Sequence, residues 1–232
     1  HGRVVRMFCN ILHPDGTPFA SDTRRVLQNA VDAAAERGIS FSFGSEMEFY
    51  LFQRDENGEA TRVPYDRAGY MDIAPEDKGE NIRREICLTL SQMGIRPECS
   101  HHEQGPGQNE IDFRYSDPMA AADNALTFRA VVNTIAVQSG LAADFSPKPL
   151  PGQPGNGMHI NISARSLGAV NVQVIMEALG GGGHQTMAAA QLKHITPEAA
   201  RSRIQTAIDQ YREAQKKSGL ESGSEQKKKD KQ

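Results

Sequence analysis

The sequence predicts an α+β fold in which a curved antiparallel sheet is backed by helices. Short stretches with alternating apolar and polar residues predict strands, and longer stretches whose apolar residues recur at every third or fourth position predict amphipathic helices. The two kinds of stretch follow each other along the chain, and the polar faces of the predicted strands gather on one side. We therefore expect the carboxylates on these strands to line the concave face of the sheet.

The predicted strands are recognised by their period of two residues. In the longest of them the apolar residues share one parity, while Glu46 and Glu48 share the other. A further strand is expected to run into His101. The long strand is expected over residues 39–51, and the other strands over residues 4–11, 110–115, 141–145 and 158–162.

The predicted helices begin at capping residues and end at glycines. Ser21-Asp22 can cap the first helix and Gly38 ends it, whereas the second helix ends at Gly94. Asp117-Pro118 provides a cap and a first-turn proline for the third helix. The apolar stripes are Val26, Leu27, Ala30, Val31 and Ala34 on the first helix, Ile82, Ile86, Leu90 and Met93 on the second, and Ile204, Ala207, Ile208 and Tyr211 on a last helix. On the third helix the residues expected on the buried side are Leu126, Val132, Ile135 and Ala136.

The composition limits the classes of function. A length of 232 residues allows one large domain or two modest ones, and 38% of hydrophobic residues is enough for a core. The net charge of −3, with acids and bases mixed, points to neither a nucleic acid duplex nor a membrane as a partner. Cys9, Cys87 and Cys99 show no metal-binding spacing and are interpreted as buried or free thiols, which predicts a cytoplasmic protein.

Carboxylates on two separate stretches are candidates for metal ligands. Glu46 and Glu48 are two residues apart on an apolar-backed strand, so both point away from the core. Glu103 and Glu110 flank a loop of glycine and proline, and Glu110 begins the polar face of the next strand. Oxygen ligands on rigid strands suit magnesium or manganese. The alternative is a solvated polar face, which is the commoner role of strand carboxylates.

A histidine adds to these candidates. His159 follows a loop rich in glycine and proline, and the alternation of its strand directs His159 and Asn161 to the same side. A single histidine in this position is most often a hydrogen-bonded structural residue, but beside four glutamates it becomes a candidate metal ligand.

Three stretches that occur in order resemble a known family. They are Gly44–Phe52, His101–Glu110 and the segment from Ser146 to His159. Together they are similar to the catalytic domain of glutamine synthetase over roughly residues 1–162. That resemblance implies a curved antiparallel sheet with helices outside, in subunits that form homo-oligomeric rings with active sites between subunits.

The resemblance also implies a set of metal ligands and a reaction. Glu48, Glu103 and Glu110 would hold one Mg²⁺ or Mn²⁺ ion, and Glu46 with His159 would hold part of a second. The reaction implied is phosphoryl transfer from ATP to the side-chain carboxylate of glutamate, followed by attack of ammonia on the acyl phosphate.

The same resemblance assigns substrate positions. Gly155 matches a residue that contacts the amino-acid substrate, and Asn161 and Ser163 stand at nucleotide-binding positions, although many members have a histidine where Asn161 stands. The family's small N-terminal domain and its C-terminal arginines, which clamp phosphate and carboxylate, have no counterpart here. We therefore expect this chain alone to be incomplete and inactive as a ligase.

The segment after Ile162 resembles a different family. Over roughly residues 163–214 it is similar to the DHH-associated C-terminal domain of cyclic-di-AMP phosphodiesterases. Gly181, Gly182, Gly183 and His184 are then expected to form a phosphate loop, followed by a helix that starts near His184. A cyclic dinucleotide is the ligand that this resemblance implies.

These resemblances predict three parts and leave three functions open. The parts are a glutamine synthetase-like domain over 1–162, a nucleotide-binding segment over 163–214 and a disordered, lysine-rich tail over 215–232. The functions are an ATP-dependent ligase, a nucleotide-binding module, and a non-functional chimera of two gene fragments. Because the chain begins with His1 rather than Met, we expect its start to be trimmed or partial.

Overall fold

A computed structural model describes residues 5–166, 170–185, 187–193 and 195–229 of the chain, with the side chains of 166 and 216–229 outside that description. The chain divides into two compact units, of which the first comprises His1–Ala33 and Ser42–Ile160 and the second Ala34–Phe41 and Asn161–Gln232. The elements in order are α1 (Thr23–Ala35), β1 (Ile39–Arg54), β2 (Ala60–Pro64), α2 (Glu80–Gln92), β3 (Pro97–His102), β4 (Gln108–Phe113), α3 (Pro118–Gln138), β5 (Leu141–Asp144), β6 (Met158–Ser166), α4 (Val172–Glu177), β7 (Gly182–His184), β8 (Met187–Gln191) and α5 (Pro197–Lys229).

The first unit is built on the long strand β1. It pairs antiparallel with β4, β5 and β2, and β3 adds to the far side of β4. The core lies where α2 and α3 cover one face of these strands. Met47, Phe49 and Leu51 of β1 point into that core, as their parity predicts, and each is at most 3% exposed. The α+β class with a curved antiparallel sheet and helices is confirmed.

The predicted boundaries of the first three helices are largely confirmed. Asp22 accepts a hydrogen bond from the backbone N–H of Arg24, and Asp117 accepts one from that of Ala120, so both caps form. Gly38 and Gly94 follow α1 and α2 with positive φ angles of 69° and 83°. A residue with a Cβ atom is strained in that conformation, which explains why glycine ends these helices.

Several predictions about this unit are wrong. Residues 5–11 form no strand, although a strand was predicted there from alternating apolar residues. Val5 and Met7 are 80% and 77% exposed, so these apolar side chains do not pack against a sheet. Residues 60–64, where no strand was predicted, form β2, which pairs with β1. Leu126 was expected on the buried side of α3 but is 53% exposed, because the buried stripe of that helix passes through Ala125 and Phe128 instead.

The second unit contains an antiparallel sheet in the order β6, β8, β7 with the helices α4 and α5. Val172, Ile175 and Met176 of α4 are buried in its core with Tyr211 of α5. The hydroxyl of Tyr211 accepts a hydrogen bond of 2.7 Å from the backbone N–H of Asn171. The helix α5 continues through residues 215–229, for which the composition predicts disorder; lysine, glutamate and glutamine are good helix formers, so that composition is compatible with a helical backbone.

The helix expected near His184 is not present. His184 ends β7, and the chain continues into β8, so the two form a hairpin rather than a loop that opens a helix. The glycines serve this pairing. A Cβ atom on Gly181 would lie 2.0 Å from the carbonyl oxygen of Ala189, and one on Gly183 would lie 2.4 Å from Cα of Ala188. Only glycine permits so close an approach of two backbones.

None of the helices in the described ranges is both long enough and apolar enough to cross a membrane.

The aromatic core of the first unit yields a stability prediction. Phe128 is fully buried and contacts Phe49, Phe113 and Phe145 edge-on. We expect Phe128→Ala to lower the free energy of unfolding by about 3–5 kcal/mol, since it leaves a cavity. The matched control is Leu126→Ala on the same helix, which should change it by less than about 0.5 kcal/mol. Urea denaturation measures both, and equal effects would contradict the assignment of the two helix faces.

Candidate metal centre

The register of three neighbouring strands places acidic and imidazole side chains in rows on one face of the sheet. Between β1 and β4, Glu48 lies opposite Glu110 and Glu46 lies opposite Asp112. Between β4 and β3, Glu110 lies opposite His101. Side chains at directly opposed positions of an antiparallel pair are neighbours on the same face. Glu48, Glu110 and His101 therefore form one continuous row.

These side chains approach closely enough to share metal ions. One group comprises Glu46, Glu110 and His159, and another comprises His101, Glu103 and Glu110; within each group the ligand atoms lie within 4.8 Å of one another. Nδ1 of His159 is 3.1 Å from Oε2 of Glu46. The ring nitrogens of His101 are each 3.7 Å from a carboxylate oxygen, one of Glu103 and one of Glu110. Glu110 is the member common to both groups.

Glu48 is fixed by the loop that precedes β6. Its backbone N–H donates to the carbonyl oxygen of Gly157 over 3.1 Å, and Nε2 of Gln108 donates to its Oε2 over 2.7 Å. The same Nε2 donates to the carbonyl oxygen of Gly155 over 3.0 Å. A Cβ atom on Gly157 would lie 2.6 Å from Oε1 of Glu48, so glycine at this position makes room for the carboxylate.

The electrostatics of this face favour a cation. Burial raises the pKa of Glu110 to about 9, and its hydrogen bond with Glu103 and the charges of Asp112 and Glu48 act in the same direction. Burial, together with the charge of Glu103, also raises the pKa of Glu48. Without a cation Glu110 holds a proton at neutral pH, because its charge is partly removed from water and is repelled by neighbouring carboxylates. A divalent ion can replace that proton, and oxygen ligands with an imidazole fit Mg²⁺ or Mn²⁺.

A buried network lies behind the ligands. His102, which alternates with His101 and Glu103, is fully buried and contacts Oδ1 of Asp66 through Nε2 over 2.8 Å. Its Nδ1 lies 2.6 Å from the carbonyl oxygen of Glu103. Both partners are acceptors, so both ring nitrogens carry protons and His102 is an imidazolium. Burial lowers the pKa of His102, but the hydrogen bonds to Asp66 and Glu103 outweigh burial and raise it.

A second buried pair anchors β4. Nη2 of Arg83 lies 2.5 Å from Oδ2 of Asp77, and both side chains are almost completely buried. Nη1 of Arg83 donates to Oδ1 of Asn109 over 2.6 Å, one residue before Glu110. This pair and the His102–Asp66 pair fix the backbone that presents Glu103 and Glu110. The buried group of Asp66, Asp77 and His102 already has cationic partners, which makes it a structural cluster.

The structure brings together the five ligands that the sequence predicted, namely Glu46, Glu48, Glu103, Glu110 and His159, although their assignment as ligands stays a prediction. Gly155 is joined to Glu48 through Gln108. Asn161 and Ser163 lie in the second unit, where β6 pairs them with Gln191 and Ala189, and their role towards a nucleotide stays a prediction.

Sequence reasoning missed three residues of this face. Asp112 shares the parity of Glu110, so the argument applied to Glu46 and Glu48 could have found it. His101 was quoted as part of a motif, but its place beside Glu110 depends on the pairing of β3 with β4, which no local signal reveals. Gln108 was missed for the same reason, because its contact with Glu48 depends on the pairing of β4 with β1.

The fold and this face together define an α+β domain in which a curved antiparallel sheet gathers carboxylates and imidazoles that could hold a metal ion. The family model of the glutamine synthetase catalytic domain matches residues 20–187, well over half of the chain. The chain therefore belongs to the glutamine synthetase catalytic-domain family.

Individual relatives agree with this family. The glutamine synthetase of Clostridium saccharobutylicum is 52% identical over 162 residues, which cover 70% of this chain and 37% of that protein. A structure described as a GmaS/ADP complex superposes with a TM-score of 0.61 at 27% identity, covering 71% of this chain and 41% of that one. Plasmodium falciparum glutamine synthetase has the same fold, with a TM-score of 0.63 at 23% identity over 74% of this chain and 42% of that one.

The expected join to a second family is not supported. The family match continues past Ile162 to residue 187, across the glycines expected to form a phosphate loop. In the structure Gly181, Gly182, Gly183 and His184 belong to the approach and strand of the β7–β8 hairpin, so no helix N-terminus is available to bind a phosphate there. A cyclic dinucleotide ligand, and a chimera with a DHH-associated domain, are therefore not supported.

The protonated state of Glu110 predicts how stability depends on pH. Its pKa of about 9 in the folded chain lies above the usual 4.5. The resulting stabilisation is fully present below pH 4.5 and is lost as the pH rises through about 9. We expect the metal-free protein to lose stability over this range, and Glu110→Gln to lose less of it.

Thermal unfolding in the presence of a chelator measures this dependence. Glu56→Gln is the control, because Glu56 is exposed in the turn that follows the end of β1. A variant Glu110→Gln with the same pH dependence as the unmodified chain would contradict the assignment.

Proposed function

We propose that this chain carries the metal-binding part of a glutamine synthetase-type active site. The reaction is phosphoryl transfer from ATP to the side-chain carboxylate of glutamate, followed by displacement of phosphate by ammonia. The observation that carries this proposal is that four carboxylates and an imidazole, from β1, β4, β6 and the residue after β3, come together in a chain of this family. The chain spans 37% of the length of the clostridial relative, so the activity of the whole protein is part of the proposal.

The ligands divide between two ions. Glu48, Glu103 and Glu110 would hold one Mg²⁺ or Mn²⁺ ion, and Glu46 with His159 would hold the other. Glu110 belongs to both groups of side chains that could hold an ion. Bound cations neutralise the repulsion between ATP and a carboxylate and the charge that develops as the phosphoryl group moves.

The chain's own residues position the substrate beside these ions. Gln108 donates to both Glu48 and the carbonyl oxygen of Gly155, so it couples the ligand to the loop proposed to contact the amino-acid substrate. The hydroxyl of Tyr50 donates to the carbonyl oxygen of Pro154 over 2.7 Å and holds the same loop. Burial, with the charges of Glu48 and Glu103, raises the pKa of Tyr50 to about 12, so it remains a donor.

Asn161 and Ser163 are proposed to contact the nucleotide. They follow His159 on β6 at intervals of two residues, so the three side chains lie on the same face of that strand. The GmaS protein, similar to this chain at 27% identity, was solved with ADP, which supports an adenine nucleotide as the ligand. Glutamate, ATP and ammonia are thus the proposed substrates, in a homo-oligomer located in the cytoplasm.

Metal binding tests the site independently of turnover. We expect Mn²⁺ to raise the melting temperature of the chain by several degrees. Glu48→Gln should weaken Mn²⁺ binding at least tenfold, because it removes one negative ligand. Isothermal titration measures the affinity, and Glu56→Gln should bind as the unmodified chain does. Equal affinity in Glu48→Gln and Glu56→Gln would remove Glu48 from the ligand set.

Turnover is tested separately. The readout is phosphate release from ATP in the presence of glutamate and ammonia, compared between the unmodified chain and Glu48→Gln. Release that needs both glutamate and Glu48 would support the ligase chemistry in this chain, and equal release by the two would count against it. The binding measurement keeps its meaning in either case.

A further inference from the structure

A thiol lies at the edge of the same sheet face, in a row next to the carboxylates. Cys99 and His101 are two residues apart on β3, so their side chains share one face. Asp112 of β4 is the cross-strand partner of Cys99. One ligand atom from each of Cys99, His101 and Asp112 lies within 4.8 Å of the other two. All three residues lie on paired strands, two on β3 and one on β4, so the pairing of the strands fixes their positions.

The carboxylate of Asp112 indicates that a cation belongs in this group. Its Oδ1 is buried and has no hydrogen-bond partner among the residues that the structure describes. A buried carboxylate oxygen without a partner is unfavourable, since it has lost water and gained nothing in exchange. A metal ion between Asp112 and Cys99 would satisfy this oxygen.

The type of ligand decides the type of metal. Thiolate and imidazole select Zn²⁺ and related ions, whereas Mg²⁺ and Mn²⁺ prefer oxygen ligands. One thiolate, one carboxylate and a neutral imidazole balance the charge of a divalent ion, and the thiol proton leaves to solvent. Tetrahedral zinc, with bonds of about 2.0–2.3 Å, spaces its ligand atoms by about 3.3–3.8 Å. The observed group needs side-chain movements of roughly 1 Å to reach that spacing.

We propose that Cys99, His101 and Asp112 bind a thiophilic divalent cation such as Zn²⁺, with the fourth position open to water. Cys99 is exposed, so an ion reaches it from solvent. His101 also lies beside Glu103 and Glu110, but Cys99 and Asp112 belong to this group and not to the five ligands proposed for Mg²⁺ or Mn²⁺. The proposal therefore stands on its own geometry and does not depend on ligase activity.

Cobalt is a suitable probe, because Co²⁺ replaces Zn²⁺ and bonded thiolates give it an intense near-ultraviolet charge-transfer absorption. We expect one equivalent of Co²⁺ to produce this band in the unmodified chain. Cys99→Ser should abolish the band, whereas the control Cys9→Ser, at another exposed cysteine, should retain it in full. Glu48→Gln should also retain it, which separates this site from the carboxylate site.

Zinc affinity completes the test. Competition with a chromogenic chelator should show that Asp112→Asn and Cys99→Ser each weaken Zn²⁺ binding at least tenfold, while the Mn²⁺ affinity of Cys99→Ser is unchanged. A charge-transfer band that persists in Cys99→Ser, or one that is lost in Cys9→Ser, would overturn the assignment. So would the absence of any band in the unmodified chain. Failure of Mn²⁺ binding in every variant would count against the proposed ligase site alone.

Discussion

The antiparallel register of β1 with β4 is the constraint on which the first unit depends. The same pairing buries Met47 and Ile111 on one face and places Glu48 opposite Glu110 on the other. A slip by one residue would exchange the two faces, because side chains alternate with a period of two. Each large apolar side chain buried here contributes about 1.5–3 kcal/mol, and the several on this face outweigh the repulsion of the carboxylates. The core therefore holds together charges that would otherwise separate.

The buried network explains how the strands carry these charges without distortion. Along β3 and β4, side chains on the acidic face alternate with side chains that belong to the buried network. His101 and Glu110 lie on the acidic face, and His102 and Asn109 lie on the opposite face. The imidazolium of His102 is paired with Asp66, and Arg83 is paired with Asp77. Two cations thus lie close behind an acidic face. They stabilise the backbone that presents the front carboxylates, and each is already paired with a buried carboxylate of its own.

Residue patterns predicted the parts of the fold that local physics determines. The parity of β1, the caps at Asp22 and Asp117 and the glycines after α1 and α2 were all readable, since each depends on a few adjacent residues. The strand predicted over residues 4–11 failed because alternation indicates a strand only where a partner exists. The candidate ligands were recognised from motifs, but the place of Asp112 and His101 among them required the pairing of three strands.

The cysteines and the glycines show that sequence patterns can both miss a candidate site and predict one that the fold does not form. Spacing along the chain excluded a metal site at Cys99, yet its neighbours in space are His101 and Asp112, and the latter comes from another strand. A run of glycines in a segment that resembles another family also suggested a phosphate loop at Gly181–His184, yet those glycines permit the close approach of β7 to β8. In a sheet the chemically relevant neighbours lie across strands. A motif read along one strand therefore identifies half of a site, and only the register supplies the other half.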